Sequence, residues 1–206
     1  MTRIATIDPA TNTDPEITEI LEWVTQVEGA VPNHFKVELN FPALMKAKLG
    51  TTRVLWQMGE LSLPEVQHVG IAVSKANGCP YCTAAFCTIL NYGLGTNKDY
   101  TTTYAAEGTA AVEDARTRTL VNFALKVNAD PAAITDGDIT GLKEVGLTDG
   151  GVVQIIHLVS DFVSYNRLNL ALDTDYDYQD MWRQAAFGWE LEEGGAEGDN
   201  TRGVRD

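Results

Sequence analysis

The sequence is poor in the residues from which several common functions are built. Lysine is scarce, at seven of 206 residues, and histidine occurs three times. Fifteen basic residues stand against 29 acidic ones, a formal net charge of −14. A phosphate backbone or an anionic lipid surface would be repelled, which argues against nucleic acid and membrane as partners. No apolar run approaches the ~18–20 residues needed to span a bilayer. Met1 to Pro9 lack the apolar stretch of a signal peptide, so the cytoplasm is the expected location. Strand signals are also missing: there is no period-2 alternation and no βαβ punctuation. Glycine and proline together number 25, near average usage, which excludes collagen-like and low-complexity chains. The acid is scattered along the chain, as in a high-salt cytoplasm or simply an acidic cytosolic protein.

What is present reads as helix. Ile17, Ile20, Leu21, Val24 and Val27 form one apolar stripe, with Asp14 as N-cap and Pro15 at the first helical position. Further helices are expected over 42–60, 62–76, 79–92, 110–127, 135–145 and 151–172. Ser62 and Glu65 have capping-box spacing. The last of these segments is apolar on nearly every face, and so suits a domain core or a subunit interface. The expected fold is a single-domain, all-α bundle of six or seven helices over residues 1–189. The glycine-rich, charged segment 190–206 is expected to be disordered. The aromatic-rich run Tyr176, Tyr178, Met181, Trp182, Phe187 and Trp189 is expected to dock on the body or on a neighbouring subunit.

The sharpest feature is Cys79-Pro80-Tyr81-Cys82. All three cysteines lie within residues 79–87, which is local chemistry and not a stapled secreted domain. Two thiols at i, i+3 on the first turn of a helix sit where unpaired backbone N–H groups and the helix dipole favour a thiolate. Such a dithiol can cycle by thiol–disulfide exchange. Inert buried thiols and half of a zinc site are the alternatives, although His34, His68 and His157 are too far apart in sequence to complete a zinc motif. Cys87 points about 140° away from Cys82 on the same helix.

With Ser62-Leu63-Pro64-Glu65 upstream, a mostly apolar stretch, then Asn77-Gly78-Cys79-Pro80-Tyr81-Cys82, the chain resembles the carboxymuconolactone decarboxylase/alkylhydroperoxidase D-like family, in its peroxidase-related branch. The likeness extends through Val31-Pro32-Asn33, Phe123-Ala124, Asp130-Pro131, the 135–149 segment and Asn166-Arg167-Leu168, covering residues 17–173. The resemblance implies an all-helical fold assembled as trimers or hexamers. It implies reduction of hydroperoxides, with Cys82 attacking the peroxide, Cys79 resolving it as a disulfide, and a thiol reductant closing the cycle. No cofactor or metal is implied.

The resemblance also implies a glutamate–histidine proton relay, and here both positions differ. Four residues after Cys82 stands Phe86, and twelve before Cys79 stands Gln67; Glu65 matches the helix-capping acid of the motif. Candidate replacements are His68, beside Gln67, and His157, which shares a helix face with Asp161 at i, i+4. Each also has a plain reading, as a surface neighbour of Glu65 and as a core or interface histidine. Tyr81, Trp56 and Met58 read as packing, and Arg167 as the partner of an acid. Three functions follow. One is a dithiol peroxidase or disulfide reductase built on Cys82, Cys79, Gln67, His68 and His157. The others are a cofactor-free lyase and a non-catalytic helical oligomer.

Overall fold

The computed structural model describes residues 1–188, and the tail expected at 190–206 lies outside them. Ten α-helices are found among the described residues, and no strand. They are α1 (Pro15–Glu28), α2 (Asn33–Glu38), α3 (Pro42–Gln57), α4 (Leu63–Ala76), α5 (Pro80–Thr88), α6 (Lys98–Glu107), α7 (Ala115–Ala129), α8 (Asp136–Glu144), α9 (Asp149–Leu172) and α10 (Asp180–Phe187). The expected six or seven undercounts them. α2 has six residues and no side-chain cap, too little for a periodicity to register. α6 buries only Thr101, Tyr104 and Ala105, so it lacks an apolar stripe. α10 lies within the aromatic run, for which docking is expected but a helix is not; Trp189 of that run lies outside the described residues.

Helix α4 is the axis of the bundle. Every residue from Glu65 to Ser74 is buried, and α5, α7 and α9 all pack on it. Its start is fixed by the capping box: the Ser62 N–H and hydroxyl both donate to Glu65 Oε2, at 2.7 and 2.9 Å. The other Glu65 oxygen accepts from Arg116 Nε on α7 at 2.7 Å. Close approach of α5 needs Gly70, where a Cβ would stand 2.7 Å from the Phe86 ring.

Between α4 and α5 the chain turns through Gly78 at φ 65, a left-handed conformation that suits glycine. Cys79 is then the N-cap of α5: its sulfur accepts the Cys82 N–H at 3.5 Å, and Pro80 follows at the first helical position. Helix α5 runs into a π-turn at Ile89–Gly93, where the Leu94 N–H bonds to Ile89 O at 2.9 Å.

After α9, Thr174 to Phe187 straps back across α5. Tyr176, Tyr178, Met181 and Phe187 pack on the core, and Trp182 is fully buried. Met58, expected in the core, is instead exposed at the end of α3. Because Trp182 fills the space between strap and body, Trp182→Ala should lower the unfolding free energy by about 3–5 kcal/mol. Urea denaturation followed by far-UV circular dichroism measures this.

Candidate active site

Four parts of the chain meet at Cys82. Helix α5 presents the Cys82 sulfur, α9 brings Asn166 and Asn169, α2 brings His34, and the strap brings Asp177 and Tyr178. Asn169 Nδ2 donates to Cys82 Sγ at 3.2 Å. The Asn169 oxygen can only accept, so His34 Nδ1, 3.1 Å from it, carries a proton and donates. Its other ring nitrogen faces Glu38 Oε2 at 3.9 Å. His34 thus fixes which way the Asn169 amide points, and the amide turns its N–H toward the sulfur.

Burial pushes the Cys82 thiol up, but hydrogen bonds to its sulfur from Cys79, Asn166 and Asn169 outweigh this and hold it below the ordinary cysteine value. Cys79 goes the opposite way: its bond to Cys82 and its burial both raise it. When the pair of sulfurs loses one proton, the other therefore stays on Cys79. Cys82 is the sulfur favoured as thiolate, by its donors and by the first turn of α5. Among the described residues no cluster of His, Cys, Asp or Glu completes a metal site with the cysteines.

Cys82 opens onto a cavity of about 50 Å³, room for a few water-sized groups. Much of its wall is apolar and aromatic: Trp23, Trp56, Phe35 and Phe86 among others, with Tyr165 and Tyr81 adding polar edges. Trp56, read as packing, is buried yet also lines this cavity. Tyr81 is more than packing. Its hydroxyl accepts the His34 N–H at 2.9 Å and donates to Asp177 Oδ1 at 2.7 Å. Glu28, the last residue of α1, lines the cavity as well and accepts a hydrogen bond from the Tyr178 hydroxyl.

The other expected site residues lie elsewhere. Gln67 is fully buried on α4, and neither its Oε1 nor its Nε2 has a partner among the described residues. Phe86 is an aromatic wedge, edge-on to Phe162 with ring centroids 4.6 Å apart. His68 is held between Pro64 O, at 2.6 Å, and the Tyr100 hydroxyl, at 2.8 Å, and it does not line the cavity. His157 is exposed on the outer face of α9. Asp161 turns inward instead, to Lys48 Nζ at 2.6 Å and Thr52 Oγ1 at 2.9 Å. The i, i+4 pair suggested by spacing does not form, because one member of it is solvated and the other is taken by α3. Arg167, read as an ion-pair partner, is exposed and makes no ion pair among the described residues.

His34, Asn169 and Glu28 join the site without being marked by any motif in the sequence. Asn166 and Asn169, two amides at i, i+3 in an otherwise apolar helix, were the available signal. Nothing local marks His34 or Glu28. If Asn169 stabilises the thiolate, Asn169→Ala leaves burial less opposed. A hydrogen bond to a charged group contributes about 1.5–3 kcal/mol, so the Cys82 ionisation midpoint should rise by roughly one to two pH units. The pH dependence of iodoacetamide alkylation in the Cys87→Ala background reads this directly.

Compared as a sequence, the chain matches no family model and no curated protein. Compared as a fold, it matches several solved structures. One is a peroxidase-related protein with an alkylhydroperoxidase AhpD core from Ralstonia eutropha JMP134, at 25% identity and TM-score 0.77, covering 90% of this chain and 96% of that one. A second is a peroxidase-related protein from Silicibacter sp. TM1040, at 23% identity and TM-score 0.74, covering 85% and 92%. A third is the debrominase Bmp8, solved as a C82A variant with 2,3,4-tribromopyrrole, at 17% identity and TM-score 0.73, covering 90% and 96%. By its fold, and by the cap and cysteine pair set in the order expected from the sequence, this chain is similar to the alkylhydroperoxidase D-like proteins and shares their all-helical fold.

Proposed function

We propose that the protein is a thiol-dependent oxidoreductase that reduces small hydroperoxides at Cys82, with Cys79 as the resolving thiol. The supporting observation is the Cys82 sulfur, held by the Asn169 amide at 3.2 Å on the wall of an otherwise mostly apolar cavity. A thiolate is the nucleophile such chemistry requires. It attacks the distal peroxide oxygen, the O–O bond breaks, and Cys82 becomes a sulfenic acid while the alkoxide leaves as the alcohol. Cys79 then attacks the Cys82 sulfur. Its proton departs with the sulfenic hydroxyl as water, and the disulfide forms one helical turn from where it started. An external dithiol returns both sulfurs to the reduced state, which presupposes a reducing compartment such as the cytoplasm. A partner disulfide in place of the peroxide would meet the same nucleophile.

The chemistry does not use the family relay positions. Gln67 cannot exchange a proton and Phe86 carries none, so acid–base help must come from other groups around the cavity. We also infer a homo-oligomer, a trimer or hexamer as the family resemblance implies. Val153, Ile156 and Leu170 are exposed along the outer face of α9, a surface that suits a second copy.

A second reading rests on the aromatic wall formed by Trp23, Trp56, Phe35 and Phe86. Together with the debrominase of the same fold, that wall suits a flat halogenated ring. In that case the thiolate takes the halogen, the ring takes a proton, and Cys79 displaces halide to give the same disulfide.

Consumption of tert-butyl hydroperoxide with a dithiol reductant tests the first reading. Wild type should turn over, Cys82→Ser should fall to the uncatalysed background, and Cys79→Ser should react once without cycling. Bromide release from a brominated pyrrole, with no peroxide consumed, would favour the second.

A further inference from the structure

We propose that Glu28 is the general acid of this site, delivering the proton that the leaving alkoxide takes up. The inference rests on the peroxidase reading above and deepens it. Glu28 and Cys82 line the same cavity from two different helices, α1 and α5. The buried Trp56 indole N–H has no hydrogen-bond partner among the described residues, but an indole is far too weak an acid to give up its proton; the hydroxyl, imidazole and amide protons on that wall are committed. The Tyr81 hydroxyl donates to Asp177. The Tyr165 hydroxyl is paired with Thr52 at 2.9 Å. His34 Nδ1 donates to Asn169, and the Asn169 amide donates to the sulfur. The Tyr178 hydroxyl donates to Glu28 itself. What remains is the second oxygen of Glu28, which has no hydrogen-bond partner among the described residues.

The groups facing Glu28 keep its proton in place. Burial pushes its carboxyl up to about 8, with the Tyr178 hydrogen bond opposing and the Asp177 charge adding. Burial likewise holds His34 near 4, so that ring is neutral at pH 7 and brings no positive charge to stabilise a carboxylate. The ionised form of Glu28 would also work against the Cys82 thiolate. The site is therefore consistent with a neutral carboxylic acid beside an anionic sulfur, the two states needed at the moment of attack. In the step itself the sulfur takes the distal oxygen, the O–O electron pair goes to the alkoxide, and the alkoxide takes the Glu28 proton. Glu28 is reprotonated from solvent, which received a proton when Cys82 ionised. The carboxyl comes from a helix that the family relay pattern does not include.

The test separates leaving groups. An alkoxide is strongly basic and needs the acid, whereas the acetate released from peracetic acid does not. Glu28→Gln keeps the shape and removes the proton. With tert-butyl hydroperoxide the second-order rate of Cys82 oxidation should drop roughly 10²-fold or more, the usual worth of a general acid. With peracetic acid it should change by less than about threefold on the same reasoning. The wild-type rate with the alkyl hydroperoxide should fall as pH rises through about 8, and this fall should vanish in Glu28→Gln. In Tyr178→Phe it should move to higher pH, because the lost hydrogen bond had favoured the carboxylate. Equal losses on both oxidants would make Glu28 structural, and no loss on either would overturn its role. A wild type inert toward both oxidants would instead refute the peroxidase reading, and the acid with it.

Discussion

The arrangement depends on what it takes to hold Cys82, once ionised, as an anionic sulfur inside an apolar bundle. Burying a charge is costly unless donors replace the water it loses. Here the replacements are the Asn169 amide at 3.2 Å, the Asn166 amide, the Cys79 thiol and the first turn of α5. Each comes from a separate commitment of the chain. The asparagines require α9 to lie against α5. The thiol requires Cys79 at the N-cap. The N-cap in turn requires the left-handed turn at Gly78. Loosening any one of them leaves desolvation less opposed and returns Cys82 toward an inert thiol.

The asymmetry of the dithiol follows from the same constraint. Cys79 and Cys82 are chemically identical in the unfolded chain. In the fold, Cys82 receives donors while Cys79 donates, so the two thiols are distinguished by position alone. His34 contributes at one remove, by fixing the orientation of the Asn169 amide. It remains neutral because its surroundings exclude water.

Much of the scaffold was legible from the sequence. The capping box Ser62–Glu65, the Asn77-Gly78 stop and the Pro80 start are local signals with local causes, and each stands where expected. The stripe of α1 and the apolar run of α9 likewise found their partners in one core. The short helices α2 and α6 were not legible, because neither displays enough periodicity to outweigh coil. The site was legible only in its cysteines. Helical spacing paired His157 with Asp161, but Lys48 and Thr52 on α3 compete for that carboxylate from a distance no sequence pattern records. His34, Glu28 and Tyr178 approach Cys82 through tertiary packing from segments 48, 54 and 96 residues away, and long-range convergence of that kind leaves no periodic trace. The amide of Gln67, which stands where the resemblance implies a relay glutamate, is fully buried and has no hydrogen-bond partner among the described residues.

The most direct test of the account is intact-mass analysis after one equivalent of tert-butyl hydroperoxide, with no reductant present. Wild type should lose two hydrogens as the Cys79–Cys82 disulfide forms. Cys79→Ser should gain a single oxygen, mapped to Cys82 by dimedone trapping. An unchanged mass with all three thiols still titratable, or an oxygen mapped to Cys79 or Cys87, would contradict it.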